Sequence, residues 1–241
     1  MGFWMNISAF FRLTALLVIG LFASETAVLA QDKMRIFTHG EGTFAKLLDD
    51  GRFIGPGVDL LRCSMRALGQ PFSINQAAMV RKGRLIEDGG MDAWFPSLVS
   101  GPEHRKKRIA YPIGMMPIYW YVSKQISIDP DSADFKKTAK VSAFPGSTTE
   151  RILLGLDFQV QPGTDDENAV VLWLMEGRLD AFLSADFEGL LKPGARKFMD
   201  TKIKRILYKN FDVGVEFTEL FLRRRPEFVQ HFQKAMNACK Q

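Results

Sequence analysis

Three polar residues near the end of an apolar segment have the types and spacing of a small-anion pocket. Ser97 and Ser100 follow the apolar segment 91–95, and Arg105 comes a few residues later. Hydroxyl groups and the planar fork of guanidinium donors together bind carboxylates well. Two ordinary alternatives stay open: the hydroxyls satisfy a turn backbone, and Arg105 is part of the solvated basic run 104–108. The spacing of Arg105 to the next apolar segment distinguishes it from its basic neighbours.

A second candidate turn lies further along the chain. The segment 145–150, PGSTTE, has the composition of a helix N-terminus. Free backbone N–H groups at such an end favour negative charge. Thr148 is therefore a candidate second contact for the same anion, with a plain capping role as the alternative.

The order of elements that must position these residues is typical of an α/β domain with a largely parallel sheet. The first half reads β-α-β-α-β, with strands at 33–38, 71–76 and 91–95. Helical patterns occupy 58–69 and 79–88, and a long apolar strand covers 113–122. The remaining predictions are strands at 140–144, 158–161, 179–184, 205–208 and 213–222, and helices after 150, over 165–176 and from Pro226.

Residues 1–30 have the pattern of a secretory signal. Arg12 precedes an apolar run, and small residues end at Ala30, after which we expect cleavage during secretion. The alternative is an uncleaved N-terminal anchor.

Composition limits the classes of function. A net charge of +5 and 46% hydrophobic residues suit a globular protein that attracts anions mildly, without a nucleic-acid footprint. No metal-ligand motif and no cofactor motif is present, so we expect neither. Cys63 and Cys239 are the two cysteines, and the sequence leaves open whether they pair.

Four segments resemble the family 3 extracellular solute-binding proteins, which include the polar amino-acid receptors of ABC importers. They are 53–69 (FIGPGVDLLRCSMRALG), 89–112 (GGMDAWFPSLVSGPEHRKKRIAYP), 145–150 (PGSTTE) and 176–189 (EGRLDAFLSADFEG). The resemblance implies a type II periplasmic binding-protein fold: two mixed sheets flanked by helices, with a two-strand hinge at 119–122 and 207–211. Lobe 1 would comprise 31–118 and 211–241, and lobe 2 would comprise 119–210.

The same resemblance implies a ligand site. Arg105, with Ser97 and Ser100, falls where the family holds the ligand carboxylate, and Thr148 falls where the second lobe closes on it. The acidic partner of a ligand ammonium would be Asp186, one residue after the family's position. A stacking aromatic is replaced by Gly42, and His39 is a neighbouring side-chain contact. The family has a threonine shortly before the arginine that corresponds to Arg105, and Gly101 and Pro102 stand at that place here.

These features predict a non-catalytic, monomeric periplasmic protein that captures a small anionic or zwitterionic solute for an ABC permease or a sensor. Two alternatives remain. One is an accessory or receptor module with a degenerate cleft. The other is an enzyme similar to cyclohexadienyl dehydratase, which needs an acid such as Glu41 or Asp186. Three aromatic residues are candidates either for lining the cleft or for the core: Trp94, Tyr119 and Trp120.

Overall fold

The structure is a computed structural model that describes residues 32–125 and 129–240. The expected signal segment, 1–30, lies outside the described residues. From Lys33 onward the described chain packs as one unit. No helix within the described ranges combines the length and the apolar character needed to cross a membrane.

The described chain forms ten strands, several of them short. They are β1 (Met34–Thr38), β2 (Glu41–Gly42), β3 (Ala45–Leu47), β4 (Phe53–Ile54), β5 (Phe72–Gln76), β6 (Ala93–Leu98), β7 (Ile109–Ser123), β8 (Val141–Ser142), β9 (Ala181–Ser184) and β10 (Ile203–Phe217).

Nine α-helices lie between and after these strands in the described ranges, together with short 3-10 turns at Met79–Arg81 and Glu188–Leu190. The helices are α1 (Pro56–Ala67), α2 (Lys82–Glu87), α3 (Glu103–Lys106), α4 (Ala133–Thr138), α5 (Thr148–Gly155), α6 (Glu167–Met175), α7 (Pro193–Lys202), α8 (Glu219–Arg224) and α9 (Phe228–Ala238).

Seven strands form a mixed sheet in the order β5-β1-β6-β10-β7-β9-β8. β1 pairs in parallel with β5 and with β6, as the β-α-β-α-β order predicts. β7 and β10 are antiparallel partners of 15 residues each, and they run through the whole sheet. They join the two expected mixed sheets into one continuous sheet. β6 pairs with the C-terminal part of β10, and β9 pairs with the C-terminal part of β7.

A small antiparallel sheet, β2-β3-β4, lies in the segment that the sequence pattern leaves as a loop. Phe44 sits in the β2–β3 turn, and its ring lies against Gly114 of β7: a Cβ at Gly114 would be 2.5 Å from Phe44 Cε1. The glycine therefore gives this aromatic ring room against the long strand.

The buried apolar side chains form three core clusters, because successive side chains of a strand point to opposite faces of the sheet. On one face of the sheet, Ile36, Ala93, Phe95, Val215 and Phe217 pack with α1 and α9. Two further clusters, around Trp120 and around Tyr121, lie at the other end of β7. Successive residues of a strand point to opposite faces, which places Trp120 and Tyr121 in different clusters.

The disulfide question is settled in favour of pairing. Cys63 of α1 and Cys239, just after α9, are bonded, with Cα atoms 6.0 Å apart. The two helices that cover one face of the sheet are thereby joined across a sequence separation of 176 residues.

Some predicted boundaries are wrong. Residues 205–208 and 213–222 are not separate strands, since β10 runs from Ile203 to Phe217 and α8 begins at Glu219. The predicted strand 158–161 contributes one isolated bridge, between Val160 and Val141. The final helix begins at Phe228 rather than at Pro226.

Candidate functional site

Arg105 is brought to the end of β6 by the short helix α3. Its side chain is buried, and Nη1 donates to the carbonyl oxygens of Leu98 and Ser100 at 3.0 and 2.6 Å. Nη2 donates to Ser97 Oγ at 3.0 Å. The structure thus brings together the three residues that the sequence selects for the first part of the site.

The remaining edge of this guanidinium is occupied by a carboxylate of the protein itself. Arg105 Nε and Nη2 donate to the two oxygens of Glu216 at 3.0 and 2.9 Å. The Ser97 hydroxyl donates to Glu216 Oε2 at 2.6 Å. A guanidinium has five N–H donors. The hydrogen bonds of Arg105 to Glu216, Ser97, Leu98 and Ser100 therefore use all of them.

Two more cations surround Glu216. Lys82 Nζ lies 3.0 Å from Oε2, and Arg108 Nη2 lies 3.8 Å from Oε1. Arg108 also pairs with Glu219 at 2.8 Å. The side chains of Lys82, Arg105 and Glu216 are 9%, 10% and 12% exposed, so this is a largely buried ionic cluster. We call Lys82, Ser97, Arg105, Arg108 and Glu216 the Glu216 cluster.

The alternation of β10 explains where Glu216 points. Val215 and Phe217 enter the apolar core on one face, so the residue between them points to the other face. There Glu216 is the ladder partner of Trp94 in β6, and a register shift falls between Gly214 and Glu216. A buried carboxylate is tolerated only when it is paired and hydrogen-bonded, and the cluster supplies both.

The electrostatics of the cluster follow from its burial and charges. Burial by itself raises the pKa of Glu216, but the charges of Lys82 and Arg105, with the Ser97 hydrogen bond, lower it to about 2. Desolvation lowers the pKa of Lys82, against the opposing effect of Glu216. Arg105 further lowers the Lys82 pKa, as does Arg151.

Thr148 is the first residue of α5, which Ser147 caps by accepting from the Glu150 amide at 3.0 Å. Thr148 Oγ1 accepts a hydrogen bond from Arg151 Nη2 at 2.8 Å, and Arg151 Nη1 donates to the Gly146 carbonyl at 3.0 Å. Thr148 therefore holds the Arg151 side chain rather than acting as a cap.

The charge of Arg151 interacts with two members of the Glu216 cluster, Arg105 and Glu216. The residue is exposed, yet the pKa of its guanidinium is lowered, first by desolvation and next by the positive charge of Arg105. The preceding turn also approaches the first half of the chain, since a Cβ at Gly146 would lie 3.4 Å from the Met79 carbonyl oxygen. Arg151, the hydrogen-bond partner of Thr148, is thus within electrostatic range of Arg105.

Asp186 belongs to a different group. It pairs with Arg205 at 3.1 Å, and Arg205 also contacts Glu188 at 3.0 Å and lies over the Tyr119 ring. Its contacts do not include the Glu216 cluster, so a role for Asp186 beside Arg105 stays a prediction without geometric support.

His39 follows β1 and is half-buried. Its carbonyl accepts from Gln76 Nε2 at 3.0 Å, and its ring lies close to Gly42, where a Cβ would be 3.1 Å from Cε1. Burial lowers the pKa of the imidazole, which favours the neutral form. A ligand contact by His39 stays a prediction.

Trp94 and Trp120 are core residues, each 1% exposed, and Trp120 packs against Phe135, Phe158 and Tyr208. Both indole N–H groups lack an acceptor among the described residues. Lys82 Nζ lies 5.3 Å from the Trp94 ring centroid, which places this indole beside the Glu216 cluster. Within the described ranges no group of three or more His, Cys, Asp or Glu residues is arranged to hold a metal ion.

Sequence reasoning missed Lys82, Arg151 and Glu216. A signal exists for two of them. Glu216 interrupts the apolar strand VGVEF, and a buried acid in such a strand requires a cation. Arg151 lies in the first turn of α5, where the helix dipole disfavours positive charge. Lys82 carries no comparable signal, because a lysine at the start of a charged segment is ordinary.

Comparisons with known proteins support the fold. No protein-family model matches the chain, and no curated protein matches it. Among solved structures, a histidine kinase sensor domain with similarity to periplasmic binding proteins aligns with TM-score 0.64 at 13% identity, covering 87% of this chain and 91% of that one. The arginine-, lysine-, histidine-binding protein ArtJ of Geobacillus stearothermophilus aligns with TM-score 0.61 at 14% identity, over 86% and 89%.

A third similar structure is an ancestral amino acid-binding protein described as a precursor of cyclohexadienyl dehydratase. It aligns with TM-score 0.59 at 17% identity, covering 86% of this chain and 89% of that chain. Likeness at such identities establishes architecture rather than ligand or activity. The chain has the type II periplasmic binding-protein fold, in the form shared by the amino-acid-binding proteins and the sensor domain.

Proposed function

We propose that the protein is a periplasmic, non-catalytic solute-binding protein that captures a small carboxylate-bearing, amino-acid-like solute between two lobes. Lobe 1 comprises 31–118 and 211–241, and lobe 2 comprises 119–210. The bound form then engages an ABC permease or a sensor. Export by a cleaved signal at residues 1–30 is part of the proposal.

The proposal rests on cations from both proposed lobes that interact with a single carboxylate. Lys82 and Arg105, from the proposed lobe 1, contact Glu216, and Arg151, from the proposed lobe 2, interacts with it through its charge. Arg105 lowers the pKa of Arg151, which means that the two guanidinium groups repel one another. A solute anion between the lobes would relieve this repulsion and shift the equilibrium towards the closed form.

The crossing strands supply a hinge for such closure. Tyr119 pairs with Leu207 in the predicted hinge, and the ladder shifts register between Leu207 and Lys209. A bulge leaves one residue unpaired and lets the strand bend locally. Bending at this point would move α5, with Thr148 and Arg151, relative to the Glu216 cluster.

The structural neighbours are consistent with this role. They include an arginine-, lysine-, histidine-binding protein, an ancestral amino acid-binding protein and a sensor domain. The first two favour an amino-acid-like solute, and the third favours signalling as a route after binding.

A thermal-shift screen of amino acids and small carboxylic acids tests the proposal. We expect one class of solute to raise the Tm of the wild type, since a ligand that binds only the folded state stabilises it. Arg151→Ala should abolish that shift. Arg223→Ala is the matched control, because Arg223 is an exposed arginine whose ion pair with Glu219 is 4.0 Å long. Retention of the full shift in Arg151→Ala would exclude Arg151 from the site.

One observation favours a second candidate, an accessory module without a solute. Glu216 and the surrounding oxygens already satisfy every donor of Arg105. A protein whose central guanidinium is saturated internally can use its two lobes as an interaction scaffold. A screen in which no solute stabilises the wild type would support this candidate over the first.

A further inference from the structure

The edge of Arg105 that Glu216 occupies is one of the two edges of a guanidinium that can bind a carboxylate through two parallel hydrogen bonds. Oxygens of Ser97, Leu98 and Ser100 occupy the other edge. Nε and Nη2 of Arg105 make such a pair of bonds to Oε1 and Oε2 of Glu216. The other nitrogen, Nη1, is turned to the main-chain oxygens of Leu98 and Ser100. A solute carboxylate can reach the fork only by displacing Glu216.

Displacement of Glu216 would be costly. The carboxylate also accepts from Lys82 Nζ at 3.0 Å and from the Ser97 hydroxyl at 2.6 Å. Moving it would leave a largely buried charge without these partners, and an unpaired buried charge is strongly unfavourable. A solute that offers only one carboxylate in exchange gains no more than Glu216 already supplies.

We propose that Glu216 is a built-in carboxylate ligand of Arg105 and the specificity-determining residue of the cleft. It excludes a solute's carboxylate from Arg105 and leaves Arg151, held by Thr148, as the cation that the solute meets. This inference rests on the proposed function and refines it: Arg105 positions Glu216 and the end of β6, and it does not contact the solute.

The donors around Glu216 exceed the acceptors. Lys82, Arg105 and Arg108 all lie within 4.0 Å of this one carboxylate. Arg108 Nε and Trp94 Nε1 are buried and have no acceptor among the described residues. A pocket emptied of the Glu216 carboxylate would therefore still be lined by hydrogen-bond donors with net positive charge.

The test replaces the carboxylate that a Glu216→Ala substitution removes with free acetate. Glu216→Ala deletes a CH₂–COO⁻ group, which has the size and charge of acetate. We expect Glu216→Ala to have a lowered Tm that acetate raises with the logarithm of its concentration above Kd, by about 5 °C at roughly twentyfold its Kd. Chloride at the same ionic strength should not restore it. The wild type should show a much smaller acetate-specific shift, because acetate can meet Arg151 but not the occupied fork of Arg105.

Two variants serve as controls. Glu219→Ala removes the exposed carboxylate that pairs with Arg108, and it should gain no acetate dependence. Glu216→Gln keeps the volume of the side chain and should also gain none. If Glu216→Ala is unfolded in chloride, the titration is followed as recovery of the near-ultraviolet circular dichroism. Lack of any carboxylate-specific stabilisation or refolding of Glu216→Ala would overturn the inference.

Failure of this inference and failure of the proposed function give different results. If acetate stabilises Glu216→Ala and no solute stabilises the wild type, the role of Glu216 as a ligand of Arg105 is supported and solute capture is excluded. A solute hit that depends on Arg151, together with no acetate rescue, would retain solute capture and exclude the role of Glu216.

Discussion

Lys82 Nζ lies 3.0 Å from Glu216 Oε2, although the two residues are 134 positions apart in the sequence. The lysine comes from the start of α2, and the glutamate comes from β10, the last strand. Their contact, together with those of Arg105, ties α2 and the end of β6 to the last strand around the candidate site.

The Arg105–Glu216 pair should contribute strongly to stability. Arg105→Ala would leave the buried Glu216 carboxylate without its fork and the carbonyls of Leu98 and Ser100 without a donor. We expect a loss of about 3–5 kcal/mol in the free energy of unfolding, measured by urea denaturation at pH 7. Lys107→Ala, in the same basic run but exposed, should change it by less than about 0.5 kcal/mol. Equal effects of the two variants would contradict the burial of Arg105.

The stability should fall at acid pH because of Glu216. Its pKa is lowered from 4.5 to about 2 in the folded protein. The unfolded state therefore binds a proton first, and the stabilisation, complete above pH 4.5, is lost as the pH falls towards 2. The loss amounts to about 3 kcal/mol. Urea midpoints of the wild type and Glu216→Gln between pH 6 and pH 2.5 check this; the variant should lack this component, and parallel curves would contradict it.

The disulfide between Cys63 and Cys239 should stabilise the sheet face covered by α1 and α9. It closes a loop across 176 residues, and in the chain-entropy description such a long loop gains about 5 kcal/mol. Thermal unfolding of the double variant Cys63→Ser, Cys239→Ser, and of the wild type with and without reductant, measures this contribution. The double variant should be insensitive to reductant, and an unchanged Tm in both comparisons would contradict the prediction.

Gly214 should be intolerant of a side chain. A Cβ there would lie 2.2 Å from the Ala110 carbonyl oxygen and 2.6 Å from Ile109 Cγ2. Gly214 lies at the register shift in the pairing of β10 with β7. Since backbone cannot yield as a flexible side chain does, Gly214→Ala should cost more than about 2 kcal/mol. The matched variant is Gly194→Ala in α7, where nothing lies within 4 Å, and it should be neutral or slightly stabilising. Similar urea midpoints for the two variants would contradict the close approach of β10 to β7 at Gly214.

The sequence by itself determined the parts of this protein that depend on local patterns. Alternating and helical periodicities predicted the β-α-β-α-β order of the first half, and the long apolar segment 113–122 predicted part of β7. The selection of Ser97, Ser100 and Arg105 as one group also followed from short spacing, because residues near the end of one strand cannot move far apart.

Tertiary structure alone decided which groups these residues meet. Whether Cys63 and Cys239 pair depends on a distance between α1 and α9 that no local pattern contains. The partner of Arg105 is a strand residue 111 positions further along the chain, and Arg151, whose charge interacts with Arg105, comes from a separate helix. Strand pairing over long sequence separations brings these charges together, so the saturation of Arg105 by Glu216 became visible only once β6 and β10 were adjacent.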